Sequence, residues 1–301
     1  MFLSAHKFIL ACAVALLPVA GARAEITIKT LLHELTDYAA VARWPQPEFT
    51  CHQASSYDRA TVAPNQPGWF ANSDQNQFLR TEQTQGRTER VMMDAAGPGC
   101  IVRFWLTTDK NKQGALRVYL DGAFEPALVF PAYDLLSGDL ALGSPLVQPH
   151  PGYQPDSNGG NNFYLPIPYT KHCKVTWEEA GQGSRYYQIN YRTYAAVMEV
   201  RTFARAALEE CRPLIQRMNQ VLLSPPGEVE GQRITTETEI MAGGAHSLEL
   251  PPGPAAVRQL ELRVPAALSE RALRSLIVKM DCDDEPTVWC PVADFLAAGW
   301  D

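Results

Sequence analysis

Apolar and polar positions alternate in short runs along most of this chain. Leu116, Val118 and Leu120 alternate with Arg117 and Tyr119, and the run Ile101-Val102-Arg103-Phe104-Trp105-Leu106 is rich in β-branched and aromatic residues. A period of two predicts strands with one buried face. Residues 88–107 hold two such runs around Ala96-Gly97-Pro98-Gly99, a turn by composition. Residues 163–169, 173–177 and 186–191 predict three more. Residues 137–162 read mostly as loop, with 150–162 (HPGYQPDSNGGNN) a candidate rim of a site. Residues 86–192 then supply about seven or eight short strands, enough for a β-sandwich or jelly roll.

Two stretches change period. Leu31, Leu32, Leu35, Ala39 and Ala42 share one face and predict a helix over 30–42, ended by Trp44-Pro45. Val200, Phe203, Ala207, Leu208, Cys211, Ile215, Met218 and Leu222 form one stripe over 200–222. Pro213 lies inside that stripe and should kink or split it.

One stretch recurs. Residues 116–136 (LRVYLDGAFEPALVFPAYDLL) reappear at 276–296 (LIVKMDCDDEPTVWCPVADFL), offset by 160 residues, with 8 of 21 positions identical. That spacing is far beyond the roughly 20–50 residues of a solenoid repeat and predicts a duplicated domain. Asp121-Gly122 suits a hairpin turn, while Asp281-Cys282 lacks the glycine, so its turn must differ. A recurring turn aspartate favours a structural role for Asp121 and Asp281. The expected fold is mostly β: a double jelly roll, or duplicated β-sandwich, with a connecting α-helix and an incomplete second unit. The expected segments are 25–85 (helix and polar loop), 86–192 (first unit), 193–227 (helical connector) and 228–301 (start of the second). In the second, 248–250 and 257–264 read as strands. Nothing in it matches 137–192, so a longer natural chain or a partner is expected to complete it.

The chain has 301 residues, 46% of them apolar, with 23 prolines. That admits one or two domains and argues against a helical bundle. Residues 1–24 read as a secretory signal: Lys7, an apolar run over 8–17, then Ala22-Arg23-Ala24 before Glu25. The apolar run is too short to span a bilayer. A secreted or periplasmic protein, with no membrane attachment after cleavage, is expected. Without Lys7 and Arg23 the balance is 24 basic to 33 acidic residues, or −9, a poor basis for nucleic-acid binding. Cys51, Cys100, Cys173, Cys211, Cys282 and Cys290 remain, with pairing open between disulfides and buried thiols.

Candidate chemistry concentrates in 51–80 (CHQASSYDRATVAPNQPGWFANSDQNQFLR). Carboxylates, amides, an arginine and exposed rings are what grips a sugar: hydroxyls need paired polar partners, and C–H faces stack on aromatics. The same residues also suit a solvated loop. Ser55-Ser56 lacks a Gly-x-Ser-x-Gly setting, the histidines have no metal-ligand spacing, and no cofactor or metal is expected.

Several phrases together resemble glycoside hydrolase family 172, formerly domain of unknown function 2961: LLHELTDYAAVARWP, CHQASSYDR, DAAGPGCIVRFW, FYLPIPYTKHCKVT, YYQINYR and EPTVWCPVADF. The resemblance implies a double jelly roll, assembly into homotrimers or homohexamers, and retaining hydrolysis of fructofuranosides or arabinofuranosides by two glutamates. This chain has no Trp-Gly-Glu-Gly-Glu phrase. Where the family carries Thr-Glu-Asp-Tyr, it reads Ala132-Tyr133-Asp134 and Val292-Ala293-Asp294. The catalytic candidates are therefore Asp58, Asp74 and Asp134, with Glu125 behind them. Tyr57, Arg59, Trp69, Asn72 and Asp139 are the candidate substrate contacts. The expected function is an exported, retaining glycoside hydrolase of furanosidic oligo- or polysaccharides. The alternative is a non-catalytic carbohydrate-binding or structural jelly roll.

Overall fold

The computed structural model of the chain describes residues 25–40, 43–108, 111–133, 139–149, 160–224, 227 and 231–296. The chain divides into two compact units, Met1–Gly227 and Glu228–Asp301.

The first unit is a β-sandwich. Its strands are β1 (Phe49–Ser55), β2 (Arg80–Thr84), β3 (Arg87–Ala96), β4 (Gly99–Thr108), β5 (Gln113–Leu120), β6 (Leu128–Ala132), β7 (Val147–Pro149), β8 (Asn161–Phe163), β9 (Ile167–Tyr169), β10 (His172–Glu179) and β11 (Arg185–Tyr194). One sheet runs β1-β11-β4-β8-β7, with β9 also pairing β4; the other runs β2-β3-β10-β5-β6. The pairings are antiparallel.

Alternation sends one face of each sheet inward. Phe104, Leu106, Phe163, Tyr187 and Ile189 come from the first sheet; Met93, Leu116, Val118, Phe130, Val175 and Trp177 come from the second. Phe163 meets Phe104 and Phe130 edge-on, each at 5.8 Å, and so bridges the sheets. Each such ring removed from water stabilises the fold by about 1.5–3 kcal/mol. Arg185 is also wholly buried. It pairs with Glu179 at 2.5 Å and lies over the rings of Tyr133 and Trp177.

Helix α1 spans Ile28–Glu34, not 30–42. Thr27 and Thr30 form a reciprocal capping box that starts it early, and Ile28, Leu31 and Leu32 bury its apolar face. Leu35, Tyr38 and Ala39 belong to turns; Val41 and Ala42 lie outside the described residues. The 200–222 stripe resolves into α2 (Arg205–Glu210) and α3 (Arg212–Leu223), with Pro213 in the first turn of α3. Proline is tolerated there because that turn has no intrahelical acceptor for its N–H. Val200 is not helical; it forms a parallel bridge with Ile26.

In the second unit the described residues form α4 (Ser269–Ser275), a hairpin of β12 (Ile277–Cys282) and β13 (Glu285–Pro291), and α5 (Val292–Phe295). The 248–250 and 257–264 runs are not strands; Leu248, Leu250, Val257, Leu260 and Leu262 are exposed. Alternation alone makes no strand where, among the described residues, no neighbouring strand offers a ladder.

The two repeat copies each form a hairpin but differ in pairing. Val118 faces Leu128, whereas its counterpart Val278 faces Cys290, the counterpart of Phe130. The first copy turns at Asp121-Gly122, both at positive φ; the second turns two residues later, at Asp283-Asp284, also at positive φ. Asp121 is a structural residue. Its carboxylate accepts the N–H of Lys171 at 2.6 Å and of His172 at 3.2 Å, and the Thr202 hydroxyl. Burial alone would raise its pKa, but these bonds outweigh that and hold it below the usual carboxylate range.

Candidate functional site

Strand register lines up a polar face on the outside of the first sheet. Phe104, Leu106 and Ile189 point into the core, so Arg103, Trp105, Gln188 and Asn190 point out. Two lateral rows result. One runs Gln53–Asn190–Arg103; the other runs Ser55–Gln188–Trp105–Asn162. Arg103 ties the rows together. Its Nη1 donates to Gln188 Oε1 at 3.2 Å and to Asn190 Oδ1 at 3.1 Å, and its Nη2 donates to Asn162 Oδ1 at 3.2 Å. The Tyr164 hydroxyl reaches the same Asn162 oxygen at 3.4 Å. Gly160 backs Trp105: a Cβ there would lie 2.4 Å from the indole nitrogen.

The loop over 56–79 adjoins this face, because it leaves β1 after Ser55 and crosses to β2 in the other sheet. It is pinned to β11 at both of its ends. Ser56 and Tyr187 exchange hydrogen bonds at 3.1 Å, Asn76 and Arg185 exchange bonds at 2.9 and 3.0 Å, and the Tyr187 hydroxyl donates to Gln77 O at 2.8 Å. Burial pushes the Tyr187 hydroxyl's pKa up, which keeps it a donor. The Tyr186 hydroxyl donates to Gln75 Oε1 at 3.3 Å, linking loop to sheet face.

Within the loop the structure brings together Asp58 and Asp74. The Asp58 N–H donates to Asp74 Oδ1 at 2.7 Å; Asp58 itself accepts Ala60 N–H on Oδ1 at 2.9 Å and Ser73 N–H on Oδ2 at 3.0 Å. Among the described residues nothing donates to Asp74 Oδ2. Arg59 lies 5.0 Å from the Tyr57 ring centroid and donates to the carbonyls of Ser55 and Tyr57. It therefore braces the loop and does not pair with Asp58. Tyr57, Trp69 and Phe70 are 54%, 49% and 66% exposed, enough to offer ring faces to a ligand. Trp69 and Phe70 contact each other at 5.6 Å, and Asn72 is exposed nearby in sequence.

Asp139 is not part of this group. It is bound by Arg205 of α2 at 3.0 Å, and that hydrogen bond holds its carboxyl below the usual range. Asp134 lies outside the described residues. Glu125 is exposed and accepts from Gln85.

Register also reveals a face that reading along the chain missed. On the outside of the second sheet, Glu82, Glu89 and Glu178 sit side by side on β2, β3 and β10. Glu89 is fully buried. It accepts from Thr176 at 2.7 Å, Tyr119 at 2.9 and 3.0 Å, and Arg87 at 3.1 Å. Lys174 binds Glu82 and Arg117 binds Glu178. With its carboxylates matched by cations, this face reads as a scaffold network. Among the described residues no group of three or more His, Cys, Asp or Glu is placed to hold a metal.

Among solved structures the chain is similar to the infectious bursal disease virus VP2 subviral particle, at 13% identity over 50% of this chain and 34% of that one, with a TM-score of 0.24. It is also similar to the infectious bursal disease virus Gx strain, at 11% identity over the same shares, with a TM-score of 0.23. The chain spans about a third of the length of these structures, and at such scores the likeness says nothing of function. No curated protein matches. A family model, the GH172 first beta-sandwich domain, matches residues 47–211, more than half of the chain, from the approach to β1 through the end of α2. By that match, the chain belongs to glycoside hydrolase family 172.

Proposed function

We propose that this chain carries the sugar-contacting β-sandwich of an exported, retaining glycoside hydrolase that acts on furanosidic linkages. The observation that carries the reading is the continuity of the aromatic, carboxylate-bearing loop with the amide and arginine rows of the first sheet. Exposed rings of Tyr57, Trp69 and Phe70 suit the C–H faces of a sugar, and Gln53, Gln188 and Asn190 suit its hydroxyls.

Retention needs one carboxylate to attack the anomeric carbon while another protonates the departing oxygen; water, giving its proton to the second, then displaces the first. The two groups stand about 5–5.5 Å apart in such enzymes. Asp58 and Asp74 are the shortlisted acids joined by a hydrogen bond. Asp58, with both oxygens fixed by backbone N–H groups, suits the nucleophile. Asp74, with Oδ2 free of described donors, suits the proton carrier.

The test is release of 4-nitrophenol from arabinofuranosides and of fructose from fructofuranosides. We expect turnover that Asp74→Asn lowers by about a hundredfold or more, without a matching loss of binding. Full activity in Asp74→Asn would end the assignment of that residue; no turnover on either substrate class would end the hydrolase reading.

A second reading is carbohydrate binding without turnover. It is favoured by the sheet rows themselves, which hold no carboxylate. Sugar binding unchanged in both Asp58→Asn and Asp74→Asn, with no turnover, would support it.

A further inference from the structure

Arg103 stands apart from the other arginines of the two sheets. Arg80, Arg87, Arg90, Arg117, Arg185 and Arg192 each have a carboxylate within ion-pairing distance. Arg103, among the described residues, has three amide oxygens and no carboxylate. Asn162, on its inner side, is only 6% exposed, so water is largely excluded there. A guanidinium in such a place favours an anion, and amides satisfy its hydrogen bonds but not its charge. Three of its five N–H groups are used, which leaves Nε–H and one Nη2 hydrogen without a described acceptor. An arginine that can only donate also fixes its amide neighbours: their oxygens face it, so Gln188 Nε2 and Asn190 Nδ2 remain as donors. Cation and donors together favour a ligand rich in acceptors.

We infer that the Arg103 face is a subsite for an acidic sugar, with a uronate carboxylate as the missing counter-ion and Trp105 beside it. The inference rests on the reading above that this face takes a saccharide, and it specifies the charge of that saccharide.

The experiment is titration calorimetry of the full chain with sodium D-galacturonate and D-glucuronate, against galactose, glucose and arabinose, and against inorganic phosphate. Uronates should bind about tenfold or more tighter than the neutral sugars. Asn190→Asp supplies Arg103 with a carboxylate at nearly constant volume. It should keep the fold and weaken uronate binding by about tenfold or more, a larger loss than that of the neutral sugars, which forfeit only the Asn190 Nδ2 donor. Gln188→Glu makes the same test from the neighbouring row, should the first variant not fold. Equal affinity for neutral sugars, displacement by phosphate as readily as by uronate, or uronate binding unaffected by the folded variant would overturn the inference. Neutral-sugar binding without uronate preference leaves the hydrolase reading standing; uronate binding without furanoside turnover does the reverse.

Discussion

The backbone N–H of Asp58 donates to Oδ1 of Asp74 at 2.7 Å, joining two residues 16 apart in the chain. The adjoining Ser73 N–H returns to Asp58 Oδ2 at 3.0 Å. The two aspartates thus buckle the intervening loop from both ends, whatever chemistry they also perform.

Removing the buckle should loosen that loop. Asp58→Ala leaves the N–H groups of Ala60 and Ser73 without their carboxylate. We expect a cost of about 2 kcal/mol, read by urea unfolding, and faster limited proteolysis between residues 59 and 72. An unchanged cleavage rate would show that the contacts to β11 suffice.

Phe163 touches a ring in each sheet, so the core should respond strongly to loss of its partner in the second. Phe130→Ala should destabilise the first unit by about 3–5 kcal/mol in denaturant titration. A loss under about 1 kcal/mol would mean the sheets close over the void.

Glu89 gathers Arg87, Tyr119 and Thr176 while wholly buried. Glu89→Ala strands those donors and should cost about 3–5 kcal/mol. Glu89→Gln, which keeps an acceptor but loses the charge, should cost less. Equal losses would place the effect in the lost charge.

Asp121 makes stability depend on acid. Its folded pKa is below the unfolded value of about 3.9, so its contribution is complete above that value and is lost as pH falls through the folded pKa. Thermal melts across the acid range should show Asp121→Asn less stable than the parent at neutral pH. The gap should narrow below about pH 4 as the parent loses what the variant already lacks. A constant gap would refute the linkage.

Much of the sandwich was legible along the chain, because burial of one sheet face imposes a period of two. The turn at 97–98 and the division of the helical stripe at Pro213 were legible for equally local reasons. α1 was misplaced because its start is set by Thr27 and Thr30, polar residues outside the apolar stripe. β7 and part of β8 were hidden in a run of Gly, Pro and Asn. The alternation at 257–264 promised a strand that no ladder among the described residues supports. The site was only half legible. Tyr57, Asp58, Arg59, Trp69, Asn72 and Asp74 share one segment, so composition exposed them together. Gln53, Arg103, Asn162, Gln188 and Asn190 are scattered in sequence and meet only through register, which no local pattern encodes. Asp139 was grouped with the loop by residue type alone, and Arg205 takes it elsewhere.

The different pairing of the two repeat hairpins shows what a repeated sequence leaves free. Slipping one strand past the other by an even number of residues, two at Val278, exchanges the cross-strand neighbours yet keeps each side chain on the face it had before. An odd step would have turned the apolar residues outward. Recurrence in the primary structure therefore preserves sidedness more strictly than it preserves neighbours. Contacts inferred in one copy from the other are trustworthy as to which way a residue faces, and not as to whom it meets.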